Sequence, residues 1–425
     1  MTAQNHVASY YAATANDLAR YPALTGAVRA DVCVIGGGFS GIATALTLAE
    51  RGRSVVLVEA NRVGWGASGR NGGQMIGGIS GEGTIKSQLG EAGRKLVRDI
   101  RYRGHEIIEG RIAKYGIACD LKYGWMEVAA RPSHMKSIRR HVEERISDGD
   151  GDHLELIEPE AMKSVLGTGA YHGGYVDRRS GHLHPLNLCL GEARAAAALG
   201  VKIFEDTRVI DYLGGPKPWV QTERGRIEAQ TVVMAGEIYD RFKRRSLNGL
   251  MLPTSSYIAA TEPLSELVAR DINPRDLAVA DSNTVLDYFR LSADRRLLFG
   301  GRCDYANRDR ADVATLMRPR MLKIFPQLEC AKIEYAWKGN IAIIVNRVPV
   351  IGRLEPNVYF MQGYCGHGVN ATHIAAEIVS DAICGTTEKF DLFARIRHIR
   401  LPLSDLFGNE MLALGMLYYR LLDLL

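Results

Sequence analysis

Three glycines spaced as G-x-G-x-x-G, with an acidic residue further along, are the first residues whose types and spacing suggest chemistry. The glycines are Gly36, Gly38 and Gly41, and the acid is Glu59. In a dinucleotide-binding turn the first glycine makes the tight turn, the second lets a pyrophosphate approach the backbone, and the third lets helix and strand pack closely. A carboxylate at Glu59 would accept a hydrogen bond from a ribose hydroxyl and disfavours a 2′-phosphate, so NADP is not expected.

The sequence around these residues predicts the elements that must position them. The apolar run 32–35 reads as a buried strand, and 55–58 reads as a second one that ends at Glu59. Between them, apolar residues recur on one helical face from Ile42, and Gly52 marks the expected helix end. The helix N-terminus would offer free N–H groups to phosphates. This complete context favours dinucleotide binding over a merely structural glycine turn.

The loop that follows the second strand is rich in glycine and small polar residues. It runs from 61 to 74 as NRVGWGASGRNGGQ. Such a loop can bring backbone N–H groups, Ser68, Arg70 and Asn71 against a pyrophosphate and a large flat ring, whereas the alternative is a flexible surface loop. From these residues alone, both NAD and FAD remain open.

Composition excludes several other classes of protein. The 425 residues suggest about two domains, and the net charge of +5 with interspersed acids argues against a nucleic-acid-binding surface, even at the basic run 241–245. Seven cysteines without a C-x-x-C or His/Cys cluster predict free thiols in a reducing cytoplasm and no metal site. Neither a signal peptide nor a membrane-spanning helix is expected. The apolar helix 411–425 is expected to dock on its own domain, and contact with a membrane surface or another subunit is the alternative.

Motifs spread over most of the chain carry a family resemblance. They are SYYAATAN (9–16), the glycine turn, GWGASGRNGGQ (64–74), GHLHPLNLCLGEA (181–193), TSSYIAATEPL (254–264), DYFRLSADRRLLFGGR (287–302), NRVPVIGRLEPNVYFMQGYCGHGVN (346–370) and MLALGMLYYR (411–420). The sequence resembles the flavin amine oxidases of the D-amino acid oxidase and glycine oxidase superfamily. Within it, the similarity is closest to the bacterial gamma-glutamylputrescine oxidases.

The resemblance implies an α/β plus α+β fold, in which a Rossmann-like FAD-binding domain carries a second, antiparallel-sheet substrate domain. We expect residues 1–114, 169–243 and 336–425 to form the discontinuous FAD-binding domain. Residues 115–168 and 244–335 would form the substrate-binding domain, with the clearest strands at 256–261 and 297–301.

The resemblance also implies noncovalent FAD, with Cys365 where relatives commonly have serine. The expected cofactor-binding residues are Gly36, Gly38, Phe39, Ser40, Gly41, Glu59, Ala60, Gly66, Ala67, Ser68, Arg70, Asn71, Gly72, Gly73, Gln74, Val209, Ala235, Gly236, Gly363, Gly366, His367, Gly368 and Val369. Glu237 departs from the family pattern of a small residue or Asn, which puts contacts beyond Gly236 in doubt. A helix from Asn370 is expected to point its N-terminus at the pyrimidine end of the flavin.

The resemblance places Tyr257, Tyr288, Arg302 and His367 in the substrate pocket. Arg302 is suited to a substrate carboxylate, with a surface ion pair as the equal alternative. No catalytic acid or base is expected, because the chemistry belongs to the flavin. His182 and His184, near a helix start, are interpreted as hydrogen-bonded structural residues, with a position facing the active site as the alternative.

The implied reaction is dehydrogenation of an amine by hydride transfer to flavin N5, followed by hydrolysis of the imine. Electrons would pass to O2 or to another acceptor, and the absence of a lysine in 297–302 weakens the case for fast oxidation by O2. The alternatives are an amino-acid oxidase or quinone-linked dehydrogenase and, from another class, a flavin-binding redox partner without turnover.

Overall fold

Two β-sheets form the frame of the protein. The computed structural model describes residues 4–239, 247–304 and 312–401. In chain order, the strands are β1 (Gly26–Ile35), β2 (Val55–Val58), β3 (Gln74–Met75), β4 (Lys122–Val128), β5 (Leu154–Ile157), β6 (Gly174–His182), β7 (Lys202–Phe204), β8 (Val209–Leu213), β9 (Trp219–Thr222), β10 (Gly225–Met234), β11 (Leu252–Thr261), β12 (Ala278–Asp281), β13 (Asp287–Leu291), β14 (Leu297–Asp304), β15 (Ile333–Ile343), β16 (Val350–Glu355) and β17 (Val358–Gln362).

The α-helices pack against these sheets. They are α1 (Tyr10–Ala13), α2 (Phe39–Glu50), α3 (Glu82–Ile100), α4 (Arg103–Tyr115), α5 (His134–Ser147), α6 (Met162–Val165), α7 (Pro185–Ala198), α8 (Glu266–Ile272), α9 (Val313–Ile324), α10 (Gly368–Ile383) and α11 (Glu388–Ala394). No helix in the described ranges has the length and apolar character needed to cross a membrane. The predicted helix 411–425 and the basic run 241–245 lie outside the described residues.

The first sheet has the order β16-β17-β10-β1-β2-β7, and β9 joins β8 to the edge of β10. β1 pairs in parallel with both β10 and β2, and β2 pairs in parallel with β7. All four residues of β2 are buried, as a parallel strand covered on both faces requires. The dinucleotide-binding arrangement predicted from the sequence is therefore confirmed as architecture.

The turn between β1 and α2 depends on two glycines. Gly36 has a φ of +113°, and a Cβ there would lie 2.7 Å from the carbonyl oxygen of Ala235. A Cβ at Gly41 would collide with the carbonyl oxygen of Gly36. The roles predicted for these residues, the tight turn and the close helix packing, match the geometry. α2 ends at Glu50, and Gly52 follows in the left-handed conformation with a φ of +76°.

The second sheet has the order β15-β11-β14-β13-β12-β4-β6-β3, with β5 on the edge of β6. Its pairs are antiparallel, as expected, except that β12 and β4 run in parallel. The register of β4 against β6 shifts between Tyr123 and Trp125, at Gly124. The N-terminal segment contains α1 and leads into β1 at Gly26.

The division into domains remains a prediction, and the sheet pairing bears on two of its boundaries. β6 lies in the second sheet, although the sequence assigned residues from 169 onwards to the FAD-binding domain. β15 also belongs to the second sheet and crosses the predicted boundary at 336. Each of these strands leads from the second sheet into elements of the predicted FAD-binding domain. A single position in the sequence therefore does not separate the two predicted domains.

Candidate functional site

A cavity of about 680 Å³ lies between the carboxyl ends of the first-sheet strands and one face of the second sheet. Crevices at this edge of an open α/β sheet are the usual place for ligands. The predicted cofactor-binding residues that line it are Gly36, Gly38, Phe39, Ser40, Glu59, Ala60, Gly66, Ala67, Ser68, Arg70, Asn71, Gly72, Gln74, Val209, Ala235, Gly236, Gly366, His367, Gly368 and Val369. The structure thus brings distant segments together around one space.

Three predicted cofactor-binding residues lie behind the cavity wall. Gly41 packs α2 onto the turn, Gly73 approaches the carbonyl oxygen of Leu183, and Gly363 is covered by Ile344. Each is a glycine because a neighbouring group occupies the place of a side chain. These three glycines let backbone segments approach one another. In this geometry they do not contact a ligand directly.

The N-terminus of α2 faces the cavity without a side-chain cap from its N-cap residue, Gly38. Ser68 Oγ accepts a hydrogen bond from the Phe39 N–H at 2.9 Å. A Cβ at Gly38 would lie 2.8 Å from that oxygen, so any side chain there would close the approach to the helix end. This terminus has the form of an anion-binding site.

Glu59 stands at the end of β2 and lines the same cavity. Its Oε2 accepts from the Gly37 N–H at 2.7 Å, and its Oε1 accepts from the Asn61 N–H at 2.8 Å. Burial raises the pKa of Glu59, against these hydrogen bonds, which lower it. A carboxylate has about four acceptor sites, so two backbone bonds leave capacity for ribose hydroxyls.

The loop after β2 supplies a donor without a partner. Arg70 donates through Nε to the Trp65 carbonyl oxygen at 2.8 Å, and its guanidinium lies 4.3 Å from the centre of the Trp65 ring. Its Nη2 is buried and has no hydrogen-bond partner among the described residues. Because a buried donor needs an acceptor, this atom fits the oxygens of a bound dinucleotide. FAD therefore fits the site formed by the glycine turn, Glu59 and Arg70.

A second helix N-terminus faces the cavity at α10. The helix begins at Gly368, two residues before the predicted start at Asn370, and its N-cap residue, His367, gives no side-chain cap. Burial lowers the pKa of His367, so its imidazole is neutral near pH 7. The positive dipole end is therefore available to a ligand.

Glu237 lines the cavity just after β10, at the position where its departure from the family pattern put a contact in doubt. Its φ is +56°, and its Oε2 accepts from the Gly363 N–H at 2.9 Å. Burial raises the pKa of Glu237 to about 7, although hydrogen bonds to backbone N–H groups lower it. The departure from the family pattern thus places a titratable group in the cavity wall.

The second sheet closes the other side with uncharged residues. Tyr288 lies between two glycines: a Cβ at Gly72 would be 2.6 Å from its ring, and one at Gly300 would collide with it. The Tyr288 hydroxyl lies 3.4 Å from Ser256 Oγ, and Ile258 and Ile341 also line this side. These contacts fix the ring at the cavity wall.

Tyr257 does not line the cavity, in contrast to the prediction. Ser256 and Ile258 face it, and since side chains alternate along a strand, Tyr257 points to the opposite face. It is fully buried in the core that includes Phe289. The side chain of Arg302, the other predicted pocket residue of this sheet, lies outside the described residues.

His182 and His184 are structural, as interpreted from the sequence. His184 Nδ1 accepts from the Asn187 N–H at 3.1 Å and caps α7, and His182 Nε2 contacts the Asp276 carbonyl oxygen at 2.9 Å. Neither residue lines the cavity.

Sequence reasoning missed several lining residues, among them Trp65, Tyr239, Ile341 and Arg347. Trp65 stood inside the quoted loop and packs against Tyr239 at 5.3 Å between ring centres. The signal for Trp65 was its position in that loop. Tyr239 and Arg347 carry no local signal, because only tertiary packing brings them to the cavity.

A parallel sheet with a dinucleotide turn, joined to a second sheet over a shared cavity, defines a dinucleotide-binding protein. The family model of FAD dependent oxidoreductases (DAO) matches residues 31–382, and the chain belongs to this family. It binds FAD and is an FAD-dependent amine oxidase or dehydrogenase, which confirms the cofactor and the superfamily predicted from the sequence.

The similarity to curated relatives extends over nearly the whole chain. Gamma-glutamylputrescine oxidoreductase of Escherichia coli is 39% identical over 420 residues, which cover 98% of each protein. The probable oxidoreductase OrdL of Haemophilus influenzae is 39% identical over 427 residues, covering 99% of this chain and 98% of that protein. Among solved structures, glycine oxidase from Geobacillus kaustophilus matches with a TM-score of 0.72 at 22% identity, covering 87% of this chain and 99% of that one. This likeness confirms the predicted fold.

Proposed function

We propose that the protein dehydrogenates the C–N bond of an amine resembling gamma-glutamylputrescine. The observation that carries the proposal is the composition of the cavity, in which a dinucleotide-binding half faces an uncharged half formed by the second sheet. The identity to the Escherichia coli enzyme supports the choice of substrate class.

The residues of the second sheet prepare the amine for reaction. Ser256, Ile258, Tyr288 and Ile341 present no charge to the cavity, so an amine bound beside them loses water. Desolvation disfavours the ammonium form and lowers the pKa of the amine, which favours the neutral form that can release a hydride. When bound, FAD supplies the hydride acceptor. The protein orients the C–H bond and excludes solvent.

We also propose that FAD is held noncovalently. The Cys365 thiol donates to the Gly363 carbonyl oxygen at 3.5 Å and accepts from the Ile344 N–H at 3.3 Å. Burial raises the pKa of Cys365 to about 11, so it is a thiol near pH 7 and a poor nucleophile. The imine would hydrolyse in water to an aldehyde and ammonia, and electrons would pass to O2 or another acceptor in the cytoplasm.

The test is anaerobic bleaching of the bound flavin by gamma-glutamylputrescine, putrescine, sarcosine, glycine and D-amino acids. Rapid bleaching by gamma-glutamylputrescine alone is expected, and readmitted air then shows whether O2 is the acceptor. Bleaching by the amino acids instead would contradict the proposed substrate class. If no compound bleaches the flavin, amine dehydrogenation itself is contradicted.

A further inference from the structure

Arg347 occupies the turn between β15 and β16 and lines the cavity. Its φ is +64°, a left-handed conformation that non-glycine residues rarely adopt. Two hydrogen bonds hold the backbone there: the Arg347 N–H donates to the Ile344 carbonyl oxygen at 3.0 Å, and Ser80 Oγ donates to the Arg347 carbonyl oxygen at 2.6 Å. The surroundings therefore impose an unfavourable backbone conformation on a residue at the cavity wall.

The charge of this guanidinium is not neutralised by its neighbours. No carboxylate in ranges 4–239, 247–304 and 312–401 forms an ion pair with Arg347. The two acidic residues that line the cavity, Glu59 and Glu237, accept instead from backbone N–H groups. A cation next to the uncharged side chains of the second sheet is suited to an anionic group on the ligand.

The path of β15 relates Arg347 to the substrate side. Gly339, Ile341 and Ile343 alternate toward the cavity along this strand, and Arg347 follows in the next turn. Arg347 therefore follows, along the chain, the row of β15 residues that would pack along a bound amine. A carboxylate at the far end of an extended amine fits this arrangement.

We propose that Arg347 binds a carboxylate of the substrate, so that the site selects amines carrying a carboxylate remote from the reacting C–N bond. This inference rests on the proposed function and deepens it. The guanidinium can pair with the carboxylate through two parallel N–H···O bonds, a geometry that a lysine does not reproduce.

The first test measures binding without turnover. Glutarate and its neutral counterpart glutaramide are titrated into FAD-loaded protein, and the flavin absorbance change gives the affinity. Wild-type protein is expected to prefer glutarate, and Arg347→Gln to bind glutarate at least about tenfold more weakly while binding glutaramide unchanged. Arg347→Lys should retain part of the preference. No glutarate preference in the wild-type protein, or equal preference in Arg347→Gln, would overturn the assignment.

Arg29→Gln is the matched control, because it removes the same charge at the start of β1, where the side chain is 84% exposed and far from the carboxyl ends of the strands. It should behave as wild type. Loss of FAD from Arg347→Gln at an unchanged melting temperature would assign the residue to the cofactor instead and overturn the proposal.

The second test measures anaerobic flavin reduction by gamma-glutamylputrescine and by putrescine. Arg347→Gln is expected to raise the half-saturating concentration of gamma-glutamylputrescine at least about tenfold and to leave that of putrescine unchanged. An equal effect on both amines would overturn the proposal. If gamma-glutamylputrescine does not reduce the wild-type flavin, the proposed function fails, and the glutarate titration still decides the role of Arg347.

Discussion

Glu237 Oε2 accepts a hydrogen bond from the Gly363 N–H at 2.9 Å, which ties the end of β10 to the loop before α10. Both connected segments contribute residues to the cavity wall. The carboxyl is buried, and burial raises its pKa to about 7 from its ordinary value of 4.5. Its ionisation is therefore coupled to the stability of the cofactor site.

This coupling predicts a pH-dependent difference between wild type and Glu237→Gln. The pKa of Glu237 is higher in the folded protein than in the unfolded chain. The stabilisation that Glu237 gives the folded state is therefore fully present below about pH 4.5 and is lost as the pH rises to about 7. The loss is up to about 3 kcal/mol, and a glutamine avoids it while still accepting from Gly363. Urea unfolding at pH 5, 6 and 8 should show the variant gaining stability relative to wild type. Curves that stay parallel across this range would refute the coupling.

Gly41→Ala tests the packing of the dinucleotide turn. The added methyl group would collide with the Gly36 carbonyl oxygen, so α2 must move away from the turn. Overpacking of this kind costs about 1–3 kcal/mol, and the displaced helix end should bind FAD more weakly. Gly110→Ala is the control, because nothing lies within 4 Å of a Cβ at that position in α4, and it should be neutral or slightly stabilising. The melting temperature and the FAD affinity are measured for both variants. Equal FAD affinities of the two variants would contradict the role of Gly41.

The sequence predicts best those features whose physical causes lie within one short segment of the chain. The glycine turn is such a case, because the steric need for Gly36 and Gly41 arises within one strand–turn–helix unit. Glu59 follows from the same unit. Here the type and spacing of a few residues determine both structure and chemistry.

The parts that were missed depend on tertiary arrangement. Tyr257 was assigned to the cavity, but a strand pattern does not tell which of its two faces a distant segment will cover. Glu237 and Arg347 adopt positive φ values that nothing in their own sequence demands, since neither is glycine or asparagine. Ser80, far along the chain, donates to the Arg347 carbonyl oxygen, and Gly363 donates to the Glu237 side chain, so only the folded structure reveals these contacts.

Arg70 gives a direct test of cofactor binding. Its buried Nη2 has no partner in the described part of the chain, and we expect it to donate to an oxygen of FAD. Arg70→Ala should weaken FAD binding about 10- to 100-fold, because a charge-assisted hydrogen bond contributes about 1.5–3 kcal/mol. Quenching of flavin fluorescence on titration of FAD into the apoprotein measures the affinity. Arg29→Ala is the control, and an Arg70 variant that binds FAD as well as this control would exclude the contact.

Tyr288 tests the contribution of the second sheet to the reaction. Its ring lies against Gly72 and Gly300, so Tyr288→Ala opens a space at the wall that admits water and loosens the substrate. Because displacement of about 1 Å can cost about 100-fold in rate, we expect kcat/KM for gamma-glutamylputrescine to fall about 10- to 100-fold. Tyr288→Phe retains the ring that lies against Gly72 and Gly300, so its kcat/KM should fall less than about threefold. The FAD content should be unchanged in both variants. If Tyr288→Phe is as impaired as Tyr288→Ala, the reaction depends on the hydroxyl and not on the shape of the ring.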